Sequence, residues 1–188
     1  QDPPFYPPGL HQAHRAMNLP EAFRAACHRA GLEPTPHCLW VKIADQKMVH
    51  FHSGTKSTYQ ISTAKAGAGQ ESGSFQTPLG LHRIAEKIGA GEPVGTVFRG
   101  RVPVATNGKG NAEALITDRI LWLAGLEPGL NQGGTVDSHN RYIYIHGVGD
   151  ESRLGQPNSQ GCIHLAATDL LPLFDAVPSG TLVFISKN

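Results

Sequence analysis

The chain has 188 residues, a formal net charge of +1, 39% hydrophobic and 16% charged residues, 22 Gly, 14 Pro, 10 His and 3 Cys. That length suits one domain of ordinary size, and a near-neutral chain has no bulk electrostatic drive toward nucleic acid or anionic lipid. No apolar run approaches the roughly 20 residues of a membrane-spanning helix, and three Cys cannot all pair, so at least one thiol is free.

Residues 1–18 hold four of the prolines and read as an extended arm or linker. A short helix follows: Pro20 suits a first helical position, Phe23, Ala26, Cys27 and Ala30 recur at helical spacing, and Gly31 stands where a left-handed cap is wanted. From His37 onward the pattern changes. Residues 37–44, 47–52 and 58–64 alternate in period two and are rich in β-branched and aromatic side chains, with turns at Asp45-Gln46 and Ser53–Ser57. Further strands are expected at 81–86, 97–104, 115–122, 141–145 and 181–185, separated by Gly-rich connections. Residues 166–177 read as a second helix containing Pro172. The expected organisation is an arm and short helix over 1–36 and a mainly β domain over 37–188.

Charge is unevenly spread. Residues 37–110 hold nine Lys/Arg against four Asp/Glu, and residues 111–188 hold four against eight. This is read either as solvated faces of opposite sign or as a match to a substrate carrying both charges.

The reactive chemistry is expected at Cys162. It sits in Asn158-Ser159-Gln160-Gly161-Cys162-Ile163-His164, where small and polar residues give way to a β-type apolar step. That is a turn feeding a strand, so the thiol should be reachable. The preceding glycine permits close backbone approach, and the surrounding amides suit an oxyanion hole. Sixteen residues upstream, Arg141-Tyr142-Ile143-Tyr144-Ile145-His146-Gly147 reads as an alternating strand ending in His-Gly. A Cys–His pair is the minimal thiol-nucleophile unit, because the imidazole takes the thiol proton. The local pattern alone leaves a buried Cys162 with an incidental His146 open.

His146-Gly147, eleven intervening residues, then Ser159-x-Gly161-Cys162-Ile163 resembles the signature of the L,D-transpeptidase (YkuD-type) catalytic domain. The segment Gly73–Ile84, with Thr77-Pro78-Leu79-Gly80, resembles the same family's Thr-Pro-x-Gly segment. The resemblance covers about residues 37–186. It implies a β-sandwich of mixed sheets, here with the short N-terminal helix and a C-terminal helix. It also implies Cys162 as nucleophile, His146 as general base, and the Gly147 carbonyl orienting the imidazole. Ser159, Gly161 and the Cys162 backbone would shape the turn and the oxyanion site. The implied partner is a peptidoglycan stem tetrapeptide or muropeptide, with no nucleic acid, cofactor or metal. Release of terminal D-Ala would leave a thioester, which an amine converts to a cross-link and water converts to a trimmed tripeptide. The stretches Ile120–Leu123 and Gly125–Glu127 resemble signal-less members and favour trimming. Members of this kind are periplasmic or wall-associated where a signal was removed, and cytoplasmic otherwise. A silent wall-binding module is the alternative from another class.

Two positions depart from the family pattern. His164 stands where an Arg is usual, and Gln160 where many members carry His. Strand geometry puts His164 beside Cys162, where an imidazole would titrate near neutrality or be a tolerated structural replacement. Tyr142 is the further candidate for substrate contact, and part of 106–140 is expected to cover the site. His50 and His52 share a strand face; a solvated face is favoured there over a metal chelate. Cys27 reads as packing, and Cys27 and Cys38 as free thiols.

Overall fold

The structure, a computed structural model, describes residues 17–188, so the arm expected over 1–18 lies outside the described residues except for Met17 and Asn18. Helix α1 (Glu21–Ala30) begins after Pro20 and ends at Gly31, whose φ of 65° is the left-handed conformation a glycine adopts without penalty. The Leu32 N–H donates to the Cys27 carbonyl and the Gly31 N–H to that of His28, the paired bonds of a Schellman end. Its apolar face, Phe23, Ala26 and Cys27, packs on Cys38, Val49, Phe51, Leu81, Leu182 and Phe184. The helix is therefore docked on the β domain rather than hanging from it.

Ten strands follow: β1 (His37–Lys42), β2 (Lys47–His52), β3 (Thr55–Ser62), β4 (Gly80–Ile88), β5 (Val97–Arg99), β6 (Val102–Ala105), β7 (Thr117–Gly125), β8 (Tyr144–Gly147), β9 (Ile163–Leu165) and β10 (Leu182–Ser186). Helix α2 (Ala167–Ala176) lies between β9 and β10. The order β4-β10-β1-β2-β3-β9-β8-β7 closes on itself through a β4–β7 pairing, and the β5–β6 hairpin extends from β7. This corrects the expected sandwich. The protein is mainly β with two helices, but eight strands form a closed, barrel-like ring. Closure leaves no free edge along that ring. Within it β1–β10 and β8–β9 are parallel and the other pairs antiparallel.

Alternation along the strands sorts the side chains. Leu39, Val41, Met48, Ile61, Ile145, Ile163 and Leu165 enter one core with Leu170, Leu173 and Phe174 of α2. Tyr144, Trp122, Ile120 and Phe98 form a separate cluster against which Cys162 packs. Two expectations shift. The run at 97–104 is split by a turn with Gly100 and Arg101 at positive φ, and the strand expected from Arg141 starts only at Tyr144, because Tyr142 adopts φ 56°.

Candidate active site

Parallel strands need a crossover between them, and residues 148–162 form the one joining β8 to β9. It brings the end of β8 alongside the start of β9 in the register Ile145↔Ile163 and His146↔His164. Because the register is in step, Ile145 and Ile163 both turn to the core. Tyr144, Cys162, His146 and His164 then share the other face. Cys162, His146, His164, Ser159, Tyr142 and Arg141 line one cavity of about 410 Å³. Ala112, Ala114, Leu115 and Ile116, from the stretch expected to cover the site, line it too.

His146 is 3% exposed and its Nδ1 lies 2.6 Å from the carbonyl oxygen of Gly147. A carbonyl only accepts, so Nδ1 carries the proton and Nε2 keeps its lone pair. Burial pulls the imidazole down to about 4, outweighing the opposing effect of the Gly147 carbonyl, so the ring is neutral at pH 7. Position 147 needs glycine: a Cβ there would come within 2.7 Å of Asp118 Oδ2 and 2.8 Å of the Thr117 carbonyl.

Cys162 is half-buried. Its thiol donates to the Tyr142 carbonyl at 3.3 Å and accepts from the Tyr144 N–H at 3.3 Å. Burial raises it to about 11, against the lowering influence of the Tyr144 N–H and the Arg141 charge. The resting pair is thus a neutral thiol and a neutral imidazole, in which a proton must move before sulfur becomes nucleophilic.

The turn before Cys162 is tied internally. Ser159 Oγ donates to the Cys162 carbonyl at 2.5 Å and accepts from the Gly161 N–H at 3.1 Å. The Gly161 amide, expected as an oxyanion donor, is therefore already occupied. The Cys162 N–H has no acceptor on the protein among the described residues and is free to serve. Gly161 has φ 126°, and a Cβ there would meet the Gln76 carbonyl at 3.2 Å and Ile143 Cδ1 at 3.3 Å.

Thr77 joins the two sequence motifs. Its Oγ1 donates to the Gly161 carbonyl at 3.0 Å and accepts from the Ala64 N–H at 2.9 Å. Sequence reasoning quoted the Thr-Pro segment without assigning Thr77 a task. Arg141 was missed outright. Its guanidinium donates to the carbonyls of Gly69 (3.3 Å), Gln70 (3.0 Å) and Gln76 (2.6 Å), and to Ser74 Oγ at 3.4 Å. No local pattern announces a reach of some seventy residues back along the chain. Arg141 also supplies a positive charge near Cys162, one that His164 does not.

His164 does lie beside the thiol face, with its ring centroid 4.8 Å from that of His146. Burial and the neighbouring His146 lower it to about 3, so the expected titration near neutrality is corrected: the ring stays neutral there. Tyr142 is 53% exposed at the cavity mouth, its ring centroid 5.7 Å from that of Trp122. The Arg101 guanidinium lies 4.6 Å from the Trp122 ring and 5.4 Å from the Tyr142 ring, and donates to Tyr144 Oη at 3.1 Å.

Elsewhere, His50 and His52 do not present a freely solvated face. They stack with His37, whose Nδ1 is 2.8 Å from His50 Nε2, and all three are half-buried. Among the described residues no group of three metal-ligating side chains converges. Cys27 and Cys38 are buried free thiols. No helix among the described residues is long and apolar enough to cross a membrane.

A thiol and a neutral imidazole share one cavity on the wall of a closed β ring. Residues 36–185 match the L,D-transpeptidase catalytic domain (YkuD), and the chain belongs to that family. No curated protein matches it. Among solved structures, L,D-transpeptidase 3 from Mycobacterium tuberculosis, in complex with a faropenem-derived adduct, is similar with a TM-score of 0.52 at 14% identity, over 80% of this chain and 60% of that one. A cysteine-to-serine mutant of Enterococcus faecium L,D-transpeptidase matches with a TM-score of 0.50 at 16% identity, over 81% and 50%. At these identities the likeness shows the fold. The chain spans no more than 60% of the length of either structure.

Proposed function

We propose that the chain is a cysteine acyl-transferase acting on peptidoglycan tetrapeptide stems through a thioester on Cys162. The carrying observation is the Nδ1–Gly147 bond of 2.6 Å, which leaves Nε2 of His146 as a proton acceptor in the cavity that holds Cys162. His146 Nε2 takes the Sγ proton, and sulfur forms a bond to the carbonyl carbon of the third stem residue. The carbonyl electron pair moves onto oxygen, where the Cys162 N–H stabilises it. As the C–N bond to terminal D-Ala breaks, the imidazolium returns its proton to the leaving amine. A second nucleophile then attacks the thioester, gives its proton to His146, and sulfur leaves and is reprotonated. An amine on another stem yields a cross-link, and water yields a tripeptide; the L,D-transpeptidase and L,D-carboxypeptidase outcomes share every step up to the thioester. Ser159 and Thr77 hold the turn, and Tyr142 offers an exposed ring to the substrate at the cavity mouth.

Incubation with a disaccharide tetrapeptide, with products read by mass spectrometry, tests this. Loss of alanine is expected, giving either dimers or tripeptide monomers, and Cys162→Ala should yield neither. Turnover by Cys162→Ala would remove Cys162 as the nucleophile, and an inert wild type would favour a wall-binding module without this chemistry.

A further inference from the structure

A larger cavity, about 740 Å³, lies on the outer face of β1–β3 beside the start of α1, away from Cys162. Its floor includes Trp40, Val49 and Phe51, and its charged lining is Arg24, Lys42, Lys47 and Lys56 against Glu21 and Asp45. Asp45 is paired with Lys42, while Arg24, Lys47 and Lys56 have no ion-pair partner among the described residues. Four cations and two anions leave a surplus of two positive charges in one groove, in a chain whose whole net charge is +1. Lys42, Lys47 and Lys56 against Asp45 hold two of the five surplus positive charges of residues 37–110. Trp40 is held by an Nε1–H bond of 2.8 Å to Ser186 Oγ, with Lys42 Nζ 4.9 Å from its ring centre.

The groove and the thiol pocket share the outer wall of the ring. Lys56 and Thr58 of β3 line the groove, and by strand alternation Ser62 faces the same way. Ser62 is the register partner of His164, which lines the pocket. Four residues of strand separate Thr58 from Ser62, about 13 Å. The loop carrying Arg153 crosses between them, its carbonyl accepting from Ser62 Oγ at 3.0 Å. A molecule extended along this wall passes over that loop to reach from one cavity to the other. The half-buried Trp40 ring on the floor suits the apolar face of a sugar ring, and Arg24, Lys47 and Lys56 suit carboxylates.

We propose that this groove is an accessory binding site for a carboxylate-bearing glycopeptide polymer, holding a neighbouring repeat of the strand whose stem occupies the Cys162 pocket. This rests on the acyl-transfer reading above. The test is the double variant Lys47→Glu/Lys56→Glu, whose positions are exposed and lie outside the reacting machinery. Its KM for polymeric peptidoglycan should rise about tenfold, with kcat and turnover of the isolated disaccharide tetrapeptide unchanged. An unchanged polymer KM, or an equal loss on both substrates, overturns the proposal.

A second readout needs no turnover. Cys162→Ala protein should co-sediment with insoluble peptidoglycan, less so in high salt and least when Lys47→Glu/Lys56→Glu is added. If the wild type turns over neither substrate, the acyl-transfer reading fails, and sedimentation still decides the groove: charge-dependent pelleting supports it and equal pelleting overturns it. Binding of a synthetic peptide of residues 1–16 that is lost in Lys47→Glu/Lys56→Glu, with polymer pelleting unaffected by that variant, would assign the groove to the chain's own N-terminal segment and overturn the proposal.

Discussion

The Thr77 hydroxyl serves two backbone groups at once, accepting from Ala64 and donating to Gly161. Thr77→Val keeps the shape and strands both partners in a buried site, at a cost of about 1–3 kcal/mol. Chemical denaturation should show that loss together with reduced kcat, and Thr77→Ser should restore both. For His146→Ala, kcat on the tetrapeptide should fall by roughly 10²–10⁴, the worth of a positioned acid–base group. The pH profile follows from the same burial. With His146 at about 4 and Cys162 at about 11, kcat/KM should climb as pH rises through about 4 and show no step near 6.5. A clear inflection at 6–7 in a tetrapeptide assay would contradict the neutral pair. That Cys162, His146 and Ser159 would share one cavity was legible from two short motifs and the family they resemble, since the local pattern alone left it open. The state of His164 was not, because its low value comes from burial and from His146, a neighbour that only the parallel β8–β9 register supplies.

Arg141 and the segment it grips form the element on which the site leans. Four hydrogen bonds from one guanidinium fix residues 69–76, next to the Thr77 that holds Gly161. A lysine cannot reproduce that planar fork. Hydrogen exchange over residues 69–76 should therefore accelerate in Arg141→Lys nearly as much as in Arg141→Ala, and tetrapeptide turnover should fall in both. Exchange unchanged in Arg141→Ala would remove Arg141 from this role. Runs of β-branched and aromatic residues made β1, β2 and β10 readable to within two residues, each strand placing one face in the ring core and the other in the cluster under α1. The same pattern overran at 141–143, where apolar Ile143 and aromatic Tyr142 mimic a strand. There the backbone is bent instead by the positive φ of Tyr142, with the Arg141 N–H bonded back to Asp137.

At the scale of the whole molecule, folding holds several histidines neutral. His50, His82 and His146 fall to about 4 and His164 to about 3, burial being the leading cause for each. Their ordinary value is about 6.5, so between about pH 6.5 and 4 the unfolded chain binds more protons than the folded one, and stability must drop as pH falls through that window. Thermal melts should show Tm steady above about pH 7 and declining steeply below 6. His82→Asn should flatten part of the decline; a Tm flat from pH 7 to 4 would contradict the neutral histidines. Ring closure was not legible, because the β4–β7 and β1–β10 pairings join residues far apart in sequence, and alternation says which face is buried but not which strand lies alongside. The central claim, that Cys162 is the nucleophile and His146 its base, meets its most direct test in intact-protein mass spectrometry after exposure to a penem or carbapenem. The account predicts one adduct, on the peptide containing Cys162, absent from Cys162→Ala and slowed in His146→Ala. An adduct on buried Cys27 or Cys38, or none on the wild type, would contradict it.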